Sequence, residues 1–243
     1  MKAIILAAGV ASRLRPLTDS TPKCLLPIGN TNILALTLTN LQHNGIKDVI
    51  IVTGYLQEQI INFVQKNFHD IRIQFIHNEV YDSTNNIYSL WLAKKELENE
   101  NFLLLDSDIV FHPDIVKNLL NSNYPCCLAL KKHDVGDEEI KVKVDKRYRV
   151  QNISKIVIPN EALGESIGIE LFDAKTAYKL FEVIERLCVK EKRVNLFYEV
   201  AFEEIIQQGA EMFVVDITHL PCMEMDTVED FQKTAPMVAS IVN

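Results

Sequence analysis

The stretch AIILAAGVASRLRPLTDSTPKCLLPIG, which runs from Ala3 to Gly29, combines a buried strand with a loop suited to anions. The apolar run at residues 3–6 shows no polar alternation, which predicts a strand that is buried on both faces. The small residues 7–9 then allow backbone amides to approach a ligand closely. Arg13 and Lys23 follow within the same loop. A strand, a small-residue turn and clustered cations together favour a polyphosphate site.

This turn differs from the two most familiar phosphate-binding loops. It lacks the G-x-x-x-x-G-K-[ST] of a P-loop and the G-x-G-x-x-G of a dinucleotide fold. The alternative interpretation is a buried first strand followed by solvated surface cations. That alternative suffices for Gly9 alone, but it does not explain the whole stretch with its prolines, Arg13 and Lys23.

The bulk properties of the chain bound the classes of function. With 243 residues and 48% hydrophobic residues, the chain suits one α/β domain with a full core. The net charge of −8 argues against duplex nucleic acid and an anionic membrane as partners. The five cysteines form no C-x-x-C pair, so we expect reduced thiols and a cytoplasmic protein. No apolar stretch is long enough to span a bilayer, and the oligomeric state is left open.

The order of predicted elements indicates a parallel sheet. An apolar strand at residues 49–52 and a strand of alternating polarity at 71–75 follow amphipathic helices that begin after Asn32 and at Tyr55, respectively. This β-α-β-α-β rhythm predicts helices on both faces of the sheet. Residues 140–153 read as a hairpin that begins a second, antiparallel lobe, with Lys141 and Lys143 on its polar face. Further helices are expected at 173–190 and 196–208, and the last strong strand at 212–217.

Polar side chains cluster where predicted strands end. The segment from Asn78 to Trp91 carries amides and hydroxyls that could read a nucleobase edge, although one Asn is explained by helix capping alone. Asp106 and Asp108 follow the strand at 102–105 and suggest Mg²⁺ ligation. The alternative for an acid here is a helix cap. Asp226 could likewise be only the N-cap of a terminal helix, with Glu229 completing a capping box.

The pattern L-A-A-G-x-x-S-R-L-x-P-L-T-x-x-x-P-K-x-L-L-P-I-G at residues 6–29 resembles the signature of nucleotidyltransferases that activate sugar 1-phosphates and related metabolites. The motif N-x-x-Y-x-x-x-N-N-x-Y-S-L at residues 78–90 is similar to the phosphocholine and aminophosphonate cytidylyltransferases. The resemblance implies a three-layer α/β/α, Rossmann-like (GT-A-like) fold with a mixed, mainly parallel sheet and a small antiparallel acceptor-binding lobe. It also implies one domain over 1–243, with a nucleotide-binding half at 1–130, an acceptor-binding half at 131–221 and a closing metal-binding segment at 222–243.

The resemblance implies roles for particular residues, with Arg13 and Lys23 as the catalytic cations. The implied nucleotide-binding residues are Leu6, Ala7, Ala8, Gly9, Ser12, Arg13, Lys23, Asn78, Thr84, Asn85, Asn86, Ser89 and Asp106. The implied Mg²⁺ ligands are Asp108 and Asp226, the latter within E-x-D-T-x-E-D. Residues assigned to the acceptor are Glu138, Lys155, Glu165, Tyr198 and Glu199, with Tyr198 and its neighbour Phe197 as a candidate cation cage.

The function implied is Mg²⁺-dependent transfer of a nucleotidyl group, with CTP as nucleotide, to a phosphorylated small metabolite. Phosphocholine, phosphoethanolamine and aminoethylphosphonate types of acceptor fit. Residues 137–140 lack the tryptophan with which phosphocholine enzymes enclose choline, which favours a primary amine or hydroxyls. One alternative is a sugar-1-phosphate enzyme that uses UTP, dTTP or GTP for cell-surface polysaccharide. A non-catalytic nucleotide-sensing subunit and an NAD-dependent oxidoreductase are alternatives from other classes.

Overall fold

The computed structural model describes residues 1–242, apart from the side chains of residues 240 and 242. The strands are β1 Lys2–Ala7, β2 Asp48–Thr53, β3 Arg72–His77, β4 Phe102–Asp106, β5 Ile109–Phe111, β6 Cys127–Lys131, β7 Lys141–Val144, β8 Val150–Ser154, β9 Gly164–Phe172, β10 Phe213–Asp216 and β11 Cys222–Glu224. The helices are α1 Ile33–His43, α2 Gln57–Asn67, α3 Asn86–Leu92, α4 Lys94–Leu97, α5 Asp114–Leu120, α6 Ala174–Glu185, α7 Glu199–Gln207 and α8 Val228–Val242.

The central sheet has the order β10-β6-β9-β4-β1-β2-β3 and is mainly parallel. Strands β4, β1, β2 and β3 run parallel to one another, whereas β9 is antiparallel to both β4 and β6. The hairpin β7–β8 joins this sheet through an antiparallel pairing of β7 with β9. The fold predicted from sequence, including the antiparallel hairpin, is therefore confirmed.

Alternation along β1 divides the apolar core into two layers. Ile4 and Leu6 pack with α3, α6 and α7, whereas Ala3, Ile5 and Ala7 pack with α1, α2 and α5. Successive side chains of a strand point to opposite faces, so a continuous apolar run buries both faces of the sheet at once. The result is the three-layer arrangement of helices, sheet and helices.

A third apolar cluster fastens the loop after β1 to the far end of the chain. Leu14, Leu26 and Ile28 of the loop pack with Val110 of β5 and Met225 after β11. Full burial of one such leucine contributes about 2 kcal/mol to folding. The cluster therefore brings the loop cations beside residues that lie some two hundred positions later in the sequence.

Several boundaries differ from the sequence-based expectation. The helix predicted at 173–190 ends at Glu185 and continues as a π-helical turn over Arg186–Lys190, and the helix predicted from 196 begins at Glu199. The antiparallel pair β5–β11 was not predicted. No helix in the described part of the chain is long and apolar enough to cross a membrane.

Candidate active site

A cleft of about 890 Å³ lies at the carboxyl end of the parallel strands. Its lining includes residues from the loop after β1, the segment after β3 and the end of β4. Residues within 131–167, 197–199 and 222–230 complete it. The predicted site residues on this lining are Leu6, Ala8, Gly9, Arg13, Lys23, Asn78, Thr84, Asn85, Asn86, Ser89, Asp106, Asp108, Glu138, Lys155, Glu165, Glu199 and Asp226. Ala7, Ser12 and Tyr198 are not among the lining residues.

A chain of alternating charges occupies one end of the cleft. The Lys23 Nζ lies 2.8 Å from Asp108 Oδ2 and 2.7 Å from Asp226 Oδ1. Arg13 Nη2 donates to Asp226 Oδ2 at 2.5 Å. Burial alone would lower the pKa of Lys23, but the two carboxylates outweigh it and raise that pKa above its usual value. Burial alone would raise the pKa of Asp226, yet Lys23 and Arg13 hold it below its usual value.

The short pair β5–β11 explains why Asp108 and Asp226 meet. Ile109 pairs with Glu224, and the Met225 backbone N–H donates to the Asp108 carbonyl at 2.9 Å. Asp108 precedes β5 and Asp226 follows β11, so the antiparallel pairing places both acids at the same end. Glu224, which sequence reasoning did not assign to the site, also lines the cleft. Although Glu224 is exposed at the cleft, partial loss of hydration there, followed by repulsion from Asp108, raises the pKa of Glu224.

The cap of α8 leaves the Asp226 carboxylate free to face the cleft. Asp230 Oδ2 accepts hydrogen bonds from the backbone N–H of Asp226 at 3.2 Å and of Thr227 at 2.8 Å. Thr227 Oγ1 accepts from the Asp230 backbone N–H in return. The alternative interpretation, in which Asp226 and Glu229 form a capping box, is therefore wrong, because the reciprocal box lies one residue later.

Asn78 organises the opposite end of the cleft. Its buried amide Nδ2 donates to Thr84 Oγ1 at 3.0 Å and to Ser89 Oγ at 3.2 Å, while its Oδ1 accepts from the Val80 N–H at 3.1 Å. The Asn78 side chain thus makes its hydrogen bonds with the turn that follows it and with α3. Ser89 accepts this bond, and its own hydroxyl proton has no acceptor among the described residues.

The two asparagines that follow both accept a backbone N–H through Oδ1, and the Nδ2 of neither has an acceptor among the described residues. Asn85 caps α3, because its Oδ1 accepts from the Asn86 N–H at 2.7 Å. Asn86 Oδ1 accepts from the Tyr198 N–H at 2.9 Å, which leaves its amide Nδ2 available as a donor. Within residues 1–242, that Nδ2 has no protein acceptor. Ser89 and Asn86 therefore present hydrogen-bond donors to the cleft.

Tyr198 requires a correction, because it lies behind the cleft wall instead of lining an acceptor site. Its side chain is 0% exposed, and its hydroxyl donates to Asp106 Oδ2 at 2.7 Å. Its neighbour Phe197, by contrast, lines the cleft. Burial raises the pKa of Asp106 well above its usual range, and repulsion from Asp108 and Glu199 adds to this. Asp106 thus stabilises the wall through Tyr198.

The segment between β6 and β9, together with the start of β9, contributes charged residues to the cleft lining. Lys155 Nζ lies 3.1 Å from Glu138 Oε2 and 5.3 Å from the centre of the Phe197 ring. Glu165 Oε2 lies 2.7 Å from Nε2 of His133, a residue that sequence reasoning had not singled out. Burial raises the pKa of Glu165, although His133 opposes this effect.

Glu199 is a nearly buried acid on the cleft lining. It is 7% exposed, and its Oε2 has no hydrogen-bond partner among the described residues. Burial raises the pKa of Glu199 to about 7, against smaller opposing effects of a backbone hydrogen bond and Lys155. A buried carboxylate without a partner costs free energy, so this position favours a ligand that donates a hydrogen bond.

Lys141 also differs from expectation, because it does not lie on a polar surface. Its side chain is 1% exposed, and its ammonium donates to the Gly136 carbonyl at 2.7 Å, with the carbonyls of Asp137 and Glu139 nearby. The strand alternation was right, but the preceding loop folds over this face. Lys141 thereby holds the loop that carries Glu138.

The cleft thus combines cations and paired acids at one end with unpaired amide and hydroxyl donors at the other. A family model for nucleotidyl transferases matches residues 2–125. The chain therefore belongs to the nucleotidyl transferase family, and it is a nucleotidyltransferase enzyme.

Individual relatives cover nearly the whole chain. Choline-phosphate cytidylyltransferase of Streptococcus pneumoniae is 32% identical over 96% of both chains. CTP:phosphoglutamine cytidylyltransferase of Campylobacter jejuni is 35% identical over 96% of this chain and 98% of its own. The solved structure of the Streptococcus pneumoniae CTP:phosphocholine cytidylyltransferase matches with a TM-score of 0.81, at 30% identity over 98% of both chains. The predicted resemblance to this branch is confirmed.

Proposed function

We propose that this chain transfers CMP from CTP to a small phosphorylated acceptor and releases pyrophosphate. The observation that carries the proposal is the run of charges Arg13, Asp226, Lys23 and Asp108 at one end of a cleft that otherwise offers polar donors. Two relatives that match nearly the whole chain are cytidylyltransferases by name, and the names of one of them and of the solved structure include CTP. The free donors of Ser89 and Asn86 support this choice, because cytosine presents acceptors at N3 and O2, whereas uracil carries a proton on N3.

The proposed reaction does not require a general base. A phosphomonoester has a second pKa of about 6, so the acceptor is already largely dianionic near neutral pH. The site must bring two anions together and hold them in line. Arg13 and the loop amides would bind the β- and γ-phosphates. Lys23 would neutralise charge at the α-phosphate and at the incoming oxygen.

The two acids fit a magnesium ion. Mg²⁺ prefers carboxylate oxygens and is commonly held by one or two of them together with water and substrate phosphates. Asp108 and Asp226 already share one cation, the Lys23 ammonium, which shows that their oxygens converge on a common point. When bound, the metal ion would neutralise charge on the reacting phosphates. Arg13 would then keep the Asp226 carboxylate oriented.

The acceptor end favours a small molecule with a hydrogen-bond donor opposite its phosphate. Lys155 can bind the phosphate group, and the unpartnered Glu199 can accept from an ammonium, amide or hydroxyl group. Glu165, held by His133, and Glu138 add further negative charge. Phe197 is the aromatic side chain beside them. This combination supports an amine- or amide-bearing acceptor.

Pyrophosphate release tests the proposal directly. We would combine CTP, UTP, dTTP, GTP and ATP with phosphocholine, phosphoethanolamine, 2-aminoethylphosphonate, phosphoglutamine and sugar 1-phosphates in Mg²⁺. We expect turnover with CTP and one amine- or amide-bearing acceptor, and loss of turnover in Asp108→Asn. Turnover only with another nucleotide and a sugar phosphate would overturn the CTP assignment while keeping the reaction type. Nucleotide binding without turnover for every pair would favour a sensing role.

A further inference from the structure

The segment after β3 contributes an aromatic ring to the cleft lining. The proposed nucleotidyl transfer assigns no function to this ring. Tyr81 is half-buried and lines the cleft beside Asn78, Thr84 and Ser89. Two hydrogen bonds hold its loop: Asn78 Oδ1 accepts from the Val80 N–H at 3.1 Å, and the Ser83 N–H donates to the Val80 carbonyl at 3.1 Å. The ring therefore has a fixed position next to the polar donors that would read a base.

Gly54 makes this position possible. A Cβ atom on Gly54 would lie 2.7 Å from the Cβ of Tyr81 and 2.6 Å from the carbonyl oxygen of Ala8. Both distances are shorter than van der Waals contact, so a larger residue at 54 would displace the ring or the loop. The absence of a side chain lets Tyr81 pack closely against the backbone where β1 and β2 end.

Tyr55 connects Tyr81 to the loop that carries Arg13. The two rings lie 6.2 Å apart at an angle of 56°. The Tyr55 hydroxyl lies 2.9 Å from the carbonyls of both Thr18 and Asp19, and its backbone N–H donates to the Ala8 carbonyl at 3.1 Å. Tyr81 thus packs against Tyr55, which is hydrogen-bonded to the loop that carries Arg13. Tyr81 also lines the cleft.

We propose that Tyr81 is a further nucleotide-binding residue, whose ring forms an apolar wall against which the base or ribose of the nucleotide packs. This inference rests on the proposed nucleotidyl transfer and adds a contact that tolerates any base. Stacking depends on the π-face that all bases share, whereas the donors of Ser89 and Asn86 distinguish between bases. The hydroxyl of Tyr81 has no partner within residues 1–242 and is not required for this role.

The experiment measures binding of Mg-CTP and Mg-UTP by calorimetry, and initial rates with the best acceptor. We compare the wild type with Tyr81→Ala, Tyr81→Phe and Ser89→Ala. Tyr178→Ala, which removes an exposed ring from α6, is the matched control. Tyr81→Ala should weaken CTP and UTP binding by similar factors of about tenfold or more, with kcat little changed. Tyr81→Phe should bind as the wild type does, and Ser89→Ala should change the ratio between the two nucleotides.

Each outcome decides the inference. Wild-type affinity in Tyr81→Ala would overturn it and leave the ring a purely structural wall. An equal loss in Tyr81→Phe would also overturn it, because the hydroxyl and not the ring would carry the contact. Thermal unfolding followed by circular dichroism confirms that each variant is folded. Failure of the wild type to bind any nucleotide would instead overturn the proposed function, and this inference with it.

Discussion

Lys23 holds two carboxylates that a divalent cation would also use. Its ammonium lies within 2.8 Å of both Asp108 and Asp226, and its side chain is only 11% exposed. In the absence of nucleotide, the protein thus supplies its own counter-ion. If Asp108 and Asp226 bind Mg²⁺ as proposed, the metal ion and Lys23 would compete for the same oxygens until a polyphosphate offers Lys23 another partner.

Replacing Lys23 should therefore improve metal binding while it impairs catalysis. We expect Lys23→Met to bind Mn²⁺ without nucleotide about tenfold more tightly than the wild type, because the competing positive charge is gone. The measurement is titration of free Mn²⁺ by electron paramagnetic resonance. Lys131→Met is the control, since that lysine lines the same cleft but donates to the Cys222 carbonyl. Equal affinity in Lys23→Met and wild type would contradict the competition.

Glu199 should make stability depend on pH. Burial raises the pKa of Glu199 to about 7 from a usual value of 4.5, so the folded state holds this proton more tightly than the unfolded state does. A raised carboxyl pKa gives stability that is fully present below about pH 4.5 and is lost as the pH rises through about 7.

Glu199→Gln removes this titration. Relative to the wild type, we expect the variant to gain about 1 kcal/mol more stability at about pH 8 than at about pH 6. Urea unfolding at the two pH values measures the difference. Glu203→Gln on the same helix is the control, and an equal gain at both pH values in Glu199→Gln would contradict the assignment.

At the scale of elements, the start of α8 sets the direction of Asp226. The reciprocal hydrogen bonds of Thr227 and Asp230 fix the first turn of the helix. The β5–β11 pair fixes the segment before it. Between these two anchors, Asp226 has little freedom to turn away from Lys23.

Loss of this cap should therefore affect both stability and catalysis. We expect Thr227→Ala to lower the free energy of unfolding by about 1 kcal/mol and to reduce kcat, since Asp226 loses its support. Glu229→Ala is the control, because its contact with Lys233 is an exposed i,i+4 pair of small energetic value. Chemical unfolding and steady-state rates measure the two effects. A larger effect of Glu229→Ala would restore the capping box first expected from the sequence.

These elements also show which features a sequence can reveal. Continuous apolar runs such as residues 3–6 and 102–105 identify buried strands because every position is constrained. The three-residue strands β5 and β11 are too short to display a period, so the meeting of Asp108 and Asp226 came only from family resemblance. Lys141 kept its predicted strand, but the covering loop depends on tertiary packing.

Tyr198 illustrates a limit of another kind. Phe197 and Tyr198 are adjacent aromatic residues, and the sequence offers no way to choose which one faces the cleft. That choice follows from where α7 begins and from the buried bond of Tyr198 to Asp106, whose partners lie on distant elements. Local pattern thus places the pair correctly, while long-range contacts decide the direction of each ring.

At the scale of the whole molecule, the cleft joins residues from both ends of the chain, so a bound nucleotide should stabilise the fold globally. A ligand at about one hundred times its Kd adds about 2.7 kcal/mol to the free energy of unfolding. For a domain of this size, that corresponds to a rise in Tm of about 5 °C or more.

The rise should depend on the metal and on both acids. We expect Mg-CTP to raise the Tm of the wild type by this amount, and the double variant Asp108→Asn, Asp226→Asn to remain folded but to lose most of the rise. The residual shift should then be the same with and without Mg²⁺, because Arg13, Lys23 and the polar donors still bind the nucleotide. Asp114→Asn, an exposed acid at the start of α5, is the control. A full Mg²⁺-dependent rise in the double variant would place the metal elsewhere, since the fold would then gain the same metal-linked binding energy without either carboxylate.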